Sequence, residues 1–90
     1  MELVTIDQEM IDGAERGSPT QCPVARAINR HWGTDNAKVY RELDGVANFY
    51  VHNIWLQPMN ENGALVAGEW IERFDRGEPV EPFQILVLPL

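Results

Sequence analysis

The chain has 90 residues, of which 44% are hydrophobic and 23% charged, and its formal net charge is −7 at pH 7. This length supports one hydrophobic core, so we expect residues 1–90 to form a single domain. Nucleic acids and anionic membrane surfaces both repel a net negative chain, which argues against direct binding to either. The apolar runs are much shorter than the roughly 20 residues that a membrane span requires.

The N-terminal segment carries acids where a secretory signal would carry Lys or Arg, so no export signal is expected. The single cysteine, Cys22, cannot form a disulfide within the chain, and no Cys-x-x-Cys pair is present. These features predict a cytoplasmic protein.

The first elements are a short strand and a short helix. Residues Leu3–Ile6 are β-prone, and Asp7 follows them. Because an aspartate can accept the free N–H groups of a first helical turn, we predict a helix over Gln8–Ala14 with Asp7 as its cap.

The clearest helix runs from Pro23 to Trp32. Proline suits the first helical position, where its missing N–H costs nothing, and Cys22 then occupies the cap. Gly33 fits the left-handed position that follows a helix. Apolar residues recur at i, i+4 and i+8 along the segment, which predicts one buried face.

The middle of the chain changes to a strand pattern. Lys38–Leu43 reads as a half-buried strand, Asp44-Gly45 is a hairpin turn signal, and residues 48–56 are rich in aromatic and β-branched residues. We predict that these two strands pair antiparallel and that residues 57–63 form a loop.

The C-terminal third contains a helix and a strand. Apolar residues at helical spacing predict a helix over Ala64–Asp75, which Gly77 and Pro79 end. The run Phe83–Leu88 is apolar on both sides, which predicts a strand in the interior of the sheet.

The predicted element order is therefore β-α-α-β-β-α-β. Mixed strands and helices of this kind indicate an α+β domain. We expect two layers, with about three helices packed on one face of a mixed four-stranded sheet.

Two segments resemble a family of short uncharacterised proteins. Residues 22–28 have the form Cys-Pro-hydrophobic-Ala at a helix start, and residues 74–83 have the form Phe-Asp-x-Gly-x-x-Val-x-Pro-Phe. In both respects the chain resembles proteins encoded by bacteriophages and by actinobacteria and their relatives. The middle of the chain, residues 34–63, does not match. The resemblance implies a phage or prophage origin and the cytoplasm of a bacterial host, and it implies no activity.

Cys22 is the first candidate for chemistry, because a helix N-terminus can lower the pKa of a thiol. It would need a base, and His31 lies nine residues along the same helix, about 13 Å away. His52 is the other choice. The alternative, which we favour, is a small buried cap residue. The same three side chains lack the close spacing of metal sites, so neither a metal nor a cofactor is predicted.

The remaining patterns give no catalytic assignment. Glu69 with Glu72, and Asp12 with Glu15, are carboxylate pairs at i, i+3 that solvated helix faces also show. The glycines lack the Gly-Lys-Ser/Thr ending of a phosphate-binding loop. The sequence therefore predicts a protein that is not an enzyme.

The aromatic residues are the more informative feature. We predict that Trp32 and Trp70 fill the core. In a continuous strand over 48–56, alternate side chains face opposite sides, and both sides carry aromatic residues. A two-layer domain covers one side of its sheet only. We therefore predict a protein-binding surface around Tyr50, His52 and Trp55.

These observations favour a small acidic accessory protein that binds a host or phage protein. A sharper form of this hypothesis is inhibition of a nucleic-acid-handling or defence protein, with acids presented to a basic groove. The alternative is a structural, self-assembling domain that forms a homodimer through a sheet face.

Overall fold

The structure is a computed structural model, and it describes residues 2–41, 45–52, 54–58 and 63–89. Within these residues the chain is α+β, with strands and helices mixed along the sequence as predicted. The strands are β1 (Glu2–Ile6), β2 (Lys38–Arg41), β3 (Ala47–Val51), β4 (Ile54–Pro58) and β5 (Phe83–Pro89). The helices are α1 (Gln8–Asp12), α2 (Pro23–Trp32) and α3 (Gly63–Asp75).

The strands form one sheet in the order β1-β5-β4-β3-β2, and every neighbouring pair is antiparallel. The predicted mixed four-stranded sheet is therefore wrong in strand number and in strand direction. The predicted pairing of β2 with β3 is confirmed, with Lys38 opposite Tyr50 and Arg41 opposite Ala47. β5 lies inside the sheet, between β1 and β4, as its apolar run predicts.

The additional strand arises because residues 48–56 do not form a single strand. Val51 and Ile54 are register partners, so the chain reverses between them and β3 continues into β4 as a tight hairpin. His52 has the left-handed φ of 51° that this reversal requires. Histidine is among the residues enriched in that conformation. The side chain of Asn36 supports the turn, because its Oδ1 accepts the His52 N–H at 2.9 Å.

The helix α1 begins as predicted and is shorter than predicted. Asp7 is its cap, and one carboxylate oxygen accepts the Met10 N–H at 3.1 Å. The helix ends at Asp12, because Gly13 takes the C-cap position and donates its N–H to the Ile11 carbonyl.

The helix α2 has the predicted bounds and both predicted caps. The Cys22 sulfur accepts the Ala25 N–H at 3.4 Å, and Gly33 adopts the left-handed conformation at φ 66°. Arg26 ties α2 to α1, because its guanidinium donates to the Met10 carbonyl at 2.8 Å. Local caps therefore define α2 and a tertiary contact holds α1 against it.

The hydrophobic core lies between the helices and one face of the sheet. The helix α2 packs on β1, β2 and β3, and α3 packs on β3 and β5. No polar side chain is buried in the part of the chain that the structure describes. The largest fully buried side chains come from α2, β1, β3, β4 and β5: Val4, Ile6, Pro23, Val24, Ile28, Phe49, Leu56 and Val87.

The three tryptophans have different environments. Trp70 is buried, stacks parallel on Phe74 and lies 4.6 Å from the Phe83 ring, which confirms it as a core residue. Trp32 is half-buried and packs against the edge of the core. Trp55 remains 42% exposed.

Two predicted turns lie partly outside the described residues. Of the Asp44-Gly45 turn, only Gly45 is described, and it has a left-handed φ of 86°. Of the predicted loop over 57–63, residues 57 and 58 belong to β4 and residue 63 begins α3, while residues 59–62 are not described.

Candidate protein-interaction face

One face of the sheet is not covered by any of the described helices. Antiparallel register partners share a face, so the pairing assigns every strand residue to one side. All the buried strand residues belong to the side that faces the helices. We call the opposite side the outer face; its described side chains are Leu3, Thr5, Lys38, Tyr40, Asn48, Tyr50, Trp55, Gln84, Leu86 and Leu88.

One half of the outer face is aromatic. Tyr50 and Trp55 are direct cross-strand partners on β3 and β4. The Tyr40 ring on β2 meets the Tyr50 ring edge to face, with centroids 6.1 Å apart. Tyr40 is 44% exposed and Trp55 is 42% exposed. We call Tyr40, Tyr50 and Trp55 the aromatic half.

The other half of the outer face is aliphatic. Leu3 on β1 is opposite Leu86 on β5, and Leu88 follows on the same strand and side. Leu3 is 50% exposed, whereas the other two are half-buried. We call Leu3, Leu86 and Leu88 the leucine half. Beside it, Gln84 donates to the Thr5 hydroxyl at 3.1 Å.

The outer face carries very little charge for a chain with twice as many acids as bases. Among its described side chains Lys38 is the one charged group, and it lies on the edge strand β2. No described carboxylate is on this face. The described carboxylates therefore lie elsewhere: on the helices, on the loops and, for Glu2, on the opposite side of β1.

The two edges of the sheet are partly closed. At β1, the Arg30 guanidinium donates to the Thr5 carbonyl at 3.2 Å. At β2, the Val39 N–H donates to the Pro19 carbonyl at 2.8 Å. Engaged edge groups of this kind hinder the addition of a further strand. Each of these contacts occupies one backbone group of an edge strand.

His52 lies beside the outer face and not on it. The structure brings Tyr50 and Trp55 together, as the sequence prediction grouped them, but for a different reason. In one continuous strand the two side chains would face opposite sides of the sheet. The hairpin turn between them makes them register partners, so both lie on the outer face. His52 itself occupies that turn, where its Nδ1 is 2.7 Å from the Asn36 amide nitrogen. This contact gives His52 a role in holding the turn.

Cys22 lies in the wall of a cleft of about 260 Å³ between the 17–19 loop, β2 and the end of α3. Its side chain is only 2% exposed. Burial raises the pKa of the Cys22 thiol, and the Asp75 carboxylate adds to that effect. Both effects disfavour the thiolate, which is the nucleophilic form.

A second cleft of about 370 Å³ lies beside α3 and the chain that leads into β5. Trp70 and Phe83 form its apolar floor, and Pro79 and Pro82 form its wall. The Trp70 indole N–H donates to the Glu81 carbonyl at 2.8 Å, so its polar edge is already engaged. This cleft contains no pair of groups suited to acid–base chemistry.

Two acids at the helices, the α1 cap Asp7 and Glu72 of α3, pair with arginines. Asp7 contacts Arg30 at 2.8 Å, and this hydrogen bond, together with the Met10 N–H, lowers the pKa of the Asp7 carboxyl. Glu72 pairs with both Arg41 and Arg76.

Two further features are absent from the described residues. No three His, Cys, Asp or Glu side chains lie close enough to hold a metal ion. No helix in this part of the chain is long and apolar enough to cross a membrane.

The comparisons with known proteins give no relative. No protein-family model matches the chain, and neither a curated protein nor a solved structure does.

Most residues of the outer face were not predicted from the sequence. Tyr40, Leu3, Leu86 and Leu88 belong to it and were not singled out. The sequence contained part of this information, because residues two apart in a strand lie on the same side. Tyr40 is two residues from Lys38, and Leu86 is two residues from Leu88. The strand order was required to show that all four lie on one continuous surface.

Proposed function

We propose that this chain is a protein-binding domain that acts through the outer face and has no catalytic role. The observation that carries the proposal is the exposure of Tyr40 and Trp55 on a sheet face without a helix. Aromatic side chains are enriched at the buried centre of protein interfaces, and charged side chains are depleted there. The outer face has both properties.

The position of Trp55 strengthens this proposal. Its strand, β4, is the central strand of the five, so Trp55 lies near the middle of the outer face. Tryptophan residues near the centre of an interface commonly contribute the most binding energy. Lys38, on the edge strand, lies where a polar rim is expected.

Binding led by acidic side chains is less well supported. A partner with a basic groove would need free carboxylates grouped on one surface. Asp7 and Glu72 are engaged by arginines, and Asp75 accepts the Gly17 N–H at 2.8 Å. We therefore place binding on the outer face.

The proposed setting follows from the resemblance to phage and actinobacterial proteins. In this setting the protein acts in the cytoplasm of a bacterial host, as an accessory protein whose partner is a host, phage or identical chain. Inhibition of a host enzyme that handles nucleic acid is one form that such binding takes.

The test is affinity capture from an actinobacterial lysate that also contains untagged copies of the chain. Three tagged baits are compared: the wild type, Trp55→Lys, and Ile54→Lys as the matched control. Ile54 is the neighbouring residue on β4, is similarly exposed at 45%, and belongs to the other side of the sheet. Each capture is made at low salt and at about 1 M salt, where charge-led binding is largely screened.

We expect the wild type and Ile54→Lys to retain the same protein at both salt concentrations, and Trp55→Lys to lose it. Capture that is equal for all three baits would refute the assignment to the outer face. Capture lost at high salt alone would show that acids, and not the aromatic half, lead the binding.

A further inference from the structure

The contacts between Asn36 and His52 hold the turn that joins β3 to β4. The Asn36 Oδ1 accepts the His52 N–H at 2.9 Å, and the Asn36 amide nitrogen lies 2.7 Å from the ring Nδ1 of His52. The turn brings Tyr50 opposite Trp55. These two contacts therefore support the aromatic half of the outer face.

The hydrogen bonds define the protonation state of the His52 ring. A backbone N–H only donates, so the Asn36 atom that faces it is the carbonyl oxygen Oδ1. The group that faces the ring is then the Asn36 amide NH2, which has donors and no acceptor. The Nδ1 of His52 must therefore accept a hydrogen bond, which requires a neutral ring with its proton on Nε2.

We propose that this turn is a pH-sensitive switch, which holds the aromatic half in place while His52 is neutral and loosens it when the ring is protonated. The inference rests on the proposed function, since the outer face is the site that the switch regulates. A protonated Nδ1 directs its hydrogen at the Asn36 NH2, so that two donors face each other. One of the two side chains must turn away, and the turn then loses a hydrogen bond.

The groups around the turn offer a protonated ring no partner. The described residues of β3 and β4 carry no charge. Asp35 precedes Asn36 and Lys38 begins β2, but no described hydrogen bond or ion pair joins either to His52. The arginines of α2 are engaged by α1, its cap and β1. The helix α3 approaches the opposite end of β3, at Ala47.

Acid is therefore expected to weaken the turn. Histidine changes its charge between about pH 8 and pH 5. The unfolded chain accepts this proton freely, whereas the turn opposes it, so the folded state loses stability as the pH falls. The loss of one hydrogen bond corresponds to an increase of about 2- to 10-fold in the opening of the turn.

The first test is nitrogen NMR of the His52 ring at about pH 7.5, where histidine is largely neutral. We expect the proton on Nε2 and an unprotonated Nδ1. A dominant form with the proton on Nδ1 would overturn the proposal, because it cannot accept a hydrogen bond from Asn36.

The second test is amide hydrogen exchange of β3 and β4 at about pH 7.5 and about pH 5.5, corrected for the intrinsic exchange rate. In the wild type, protection should fall about 2- to 10-fold in acid relative to β1 and β5. His52→Asn should show no such fall, because asparagine tolerates the left-handed conformation and gains no proton. Asn36→Asp should reverse the effect, because its second carboxylate oxygen accepts the Nδ1–H of the protonated ring.

The matched control is His31→Gln. It removes the other histidine of the chain, which contacts the Glu2 carboxylate at 3.6 Å and not the turn. Its β3 and β4 amides should respond to acid as those of the wild type do. A response that is lost in His31→Gln and kept in His52→Asn would assign the pH dependence to the wrong histidine and overturn the proposal.

The outcomes separate this inference from the proposed function. Equal protection of β3 and β4 at both pH values would refute the switch, whatever the partner is. The capture experiment is then repeated at both pH values with wild-type and His52→Asn baits, and acid should reduce the retained protein for the wild type alone. Capture that depends on Trp55 but not on pH would refute regulation of the outer face. If captured proteins ignore Trp55→Lys while the turn still responds to acid, the proposed function fails and the pH-sensitive turn stands.

Discussion

The packing of α3 against the β2–β3 connection decides whether Gly68→Ala stabilises or destabilises the protein. Gly68 is buried in the interior of α3 and faces the backbone of Gly45. A Cβ atom at position 68 would lie 2.9 Å from the Gly45 carbonyl carbon and closer still to its oxygen. In an exposed helix, Gly→Ala is favourable by about 1 kcal/mol.

At position 68 the gain in helix propensity is outweighed by the overlap. Overpacking costs about 1–3 kcal/mol, and the upper value applies because a backbone carbonyl cannot swing aside like the end of a side chain. We expect Gly68→Ala to lose about 2 kcal/mol of a total stability of about 5–13 kcal/mol. Unfolding in urea, followed by circular dichroism, should show a midpoint lower by about 1–2 M.

The matched control is Gly13→Ala. A Cβ atom there would meet the guanidinium of Arg26, 2.6 Å away, which is the far end of a flexible side chain. Arg26 can move at the cost of its hydrogen bond to Met10, about 1 kcal/mol or less. A Gly68→Ala midpoint equal to or above that of the wild type would refute the close approach of α3 to Gly45.

Three further predictions concern the core, the thiol and acid stability. Trp70→Ala should lower the free energy of unfolding by about 3–5 kcal/mol, because it empties an aromatic core site; a urea midpoint close to the wild type would contradict its burial. Cys22→Ser should keep the fold, since a hydroxyl also caps a helix, and the native thiol should react with a disulfide reagent much more slowly than in urea. Asp7→Asn should lower the urea midpoint at pH 7, because the carboxylate pairs with Arg30. The pKa of Asp7 is depressed in the folded state, so its stabilising effect is present above the unfolded value of 3.8 and is lost as the pH falls through the folded value. The difference between wild type and Asp7→Asn should therefore shrink below about pH 4, and a constant difference down to pH 2 would show that ionisation of Asp7 is irrelevant.

Short-range signals determined the helices. The limits of α2 follow from Cys22, Pro23 and Gly33, which act within one or two turns of their own positions. The apolar run of β5 likewise predicted an interior strand, and β5 lies between β1 and β4. Such features depend on neighbouring residues and can be recognised before the fold is known.

The tertiary structure alone decided the outer face. The reversal at His52 depends on Asn36, which lies 16 residues away and contributes a hydrogen bond that no local pattern reveals. That reversal adds a strand, makes the sheet antiparallel throughout and brings Tyr50 opposite Trp55. Because successive side chains of a strand face opposite sides, the register between strands decides which side each residue joins. The leucines of β1 and β5 and the aromatic residues of β2 to β4 form one surface only because long-range pairing places these strands side by side.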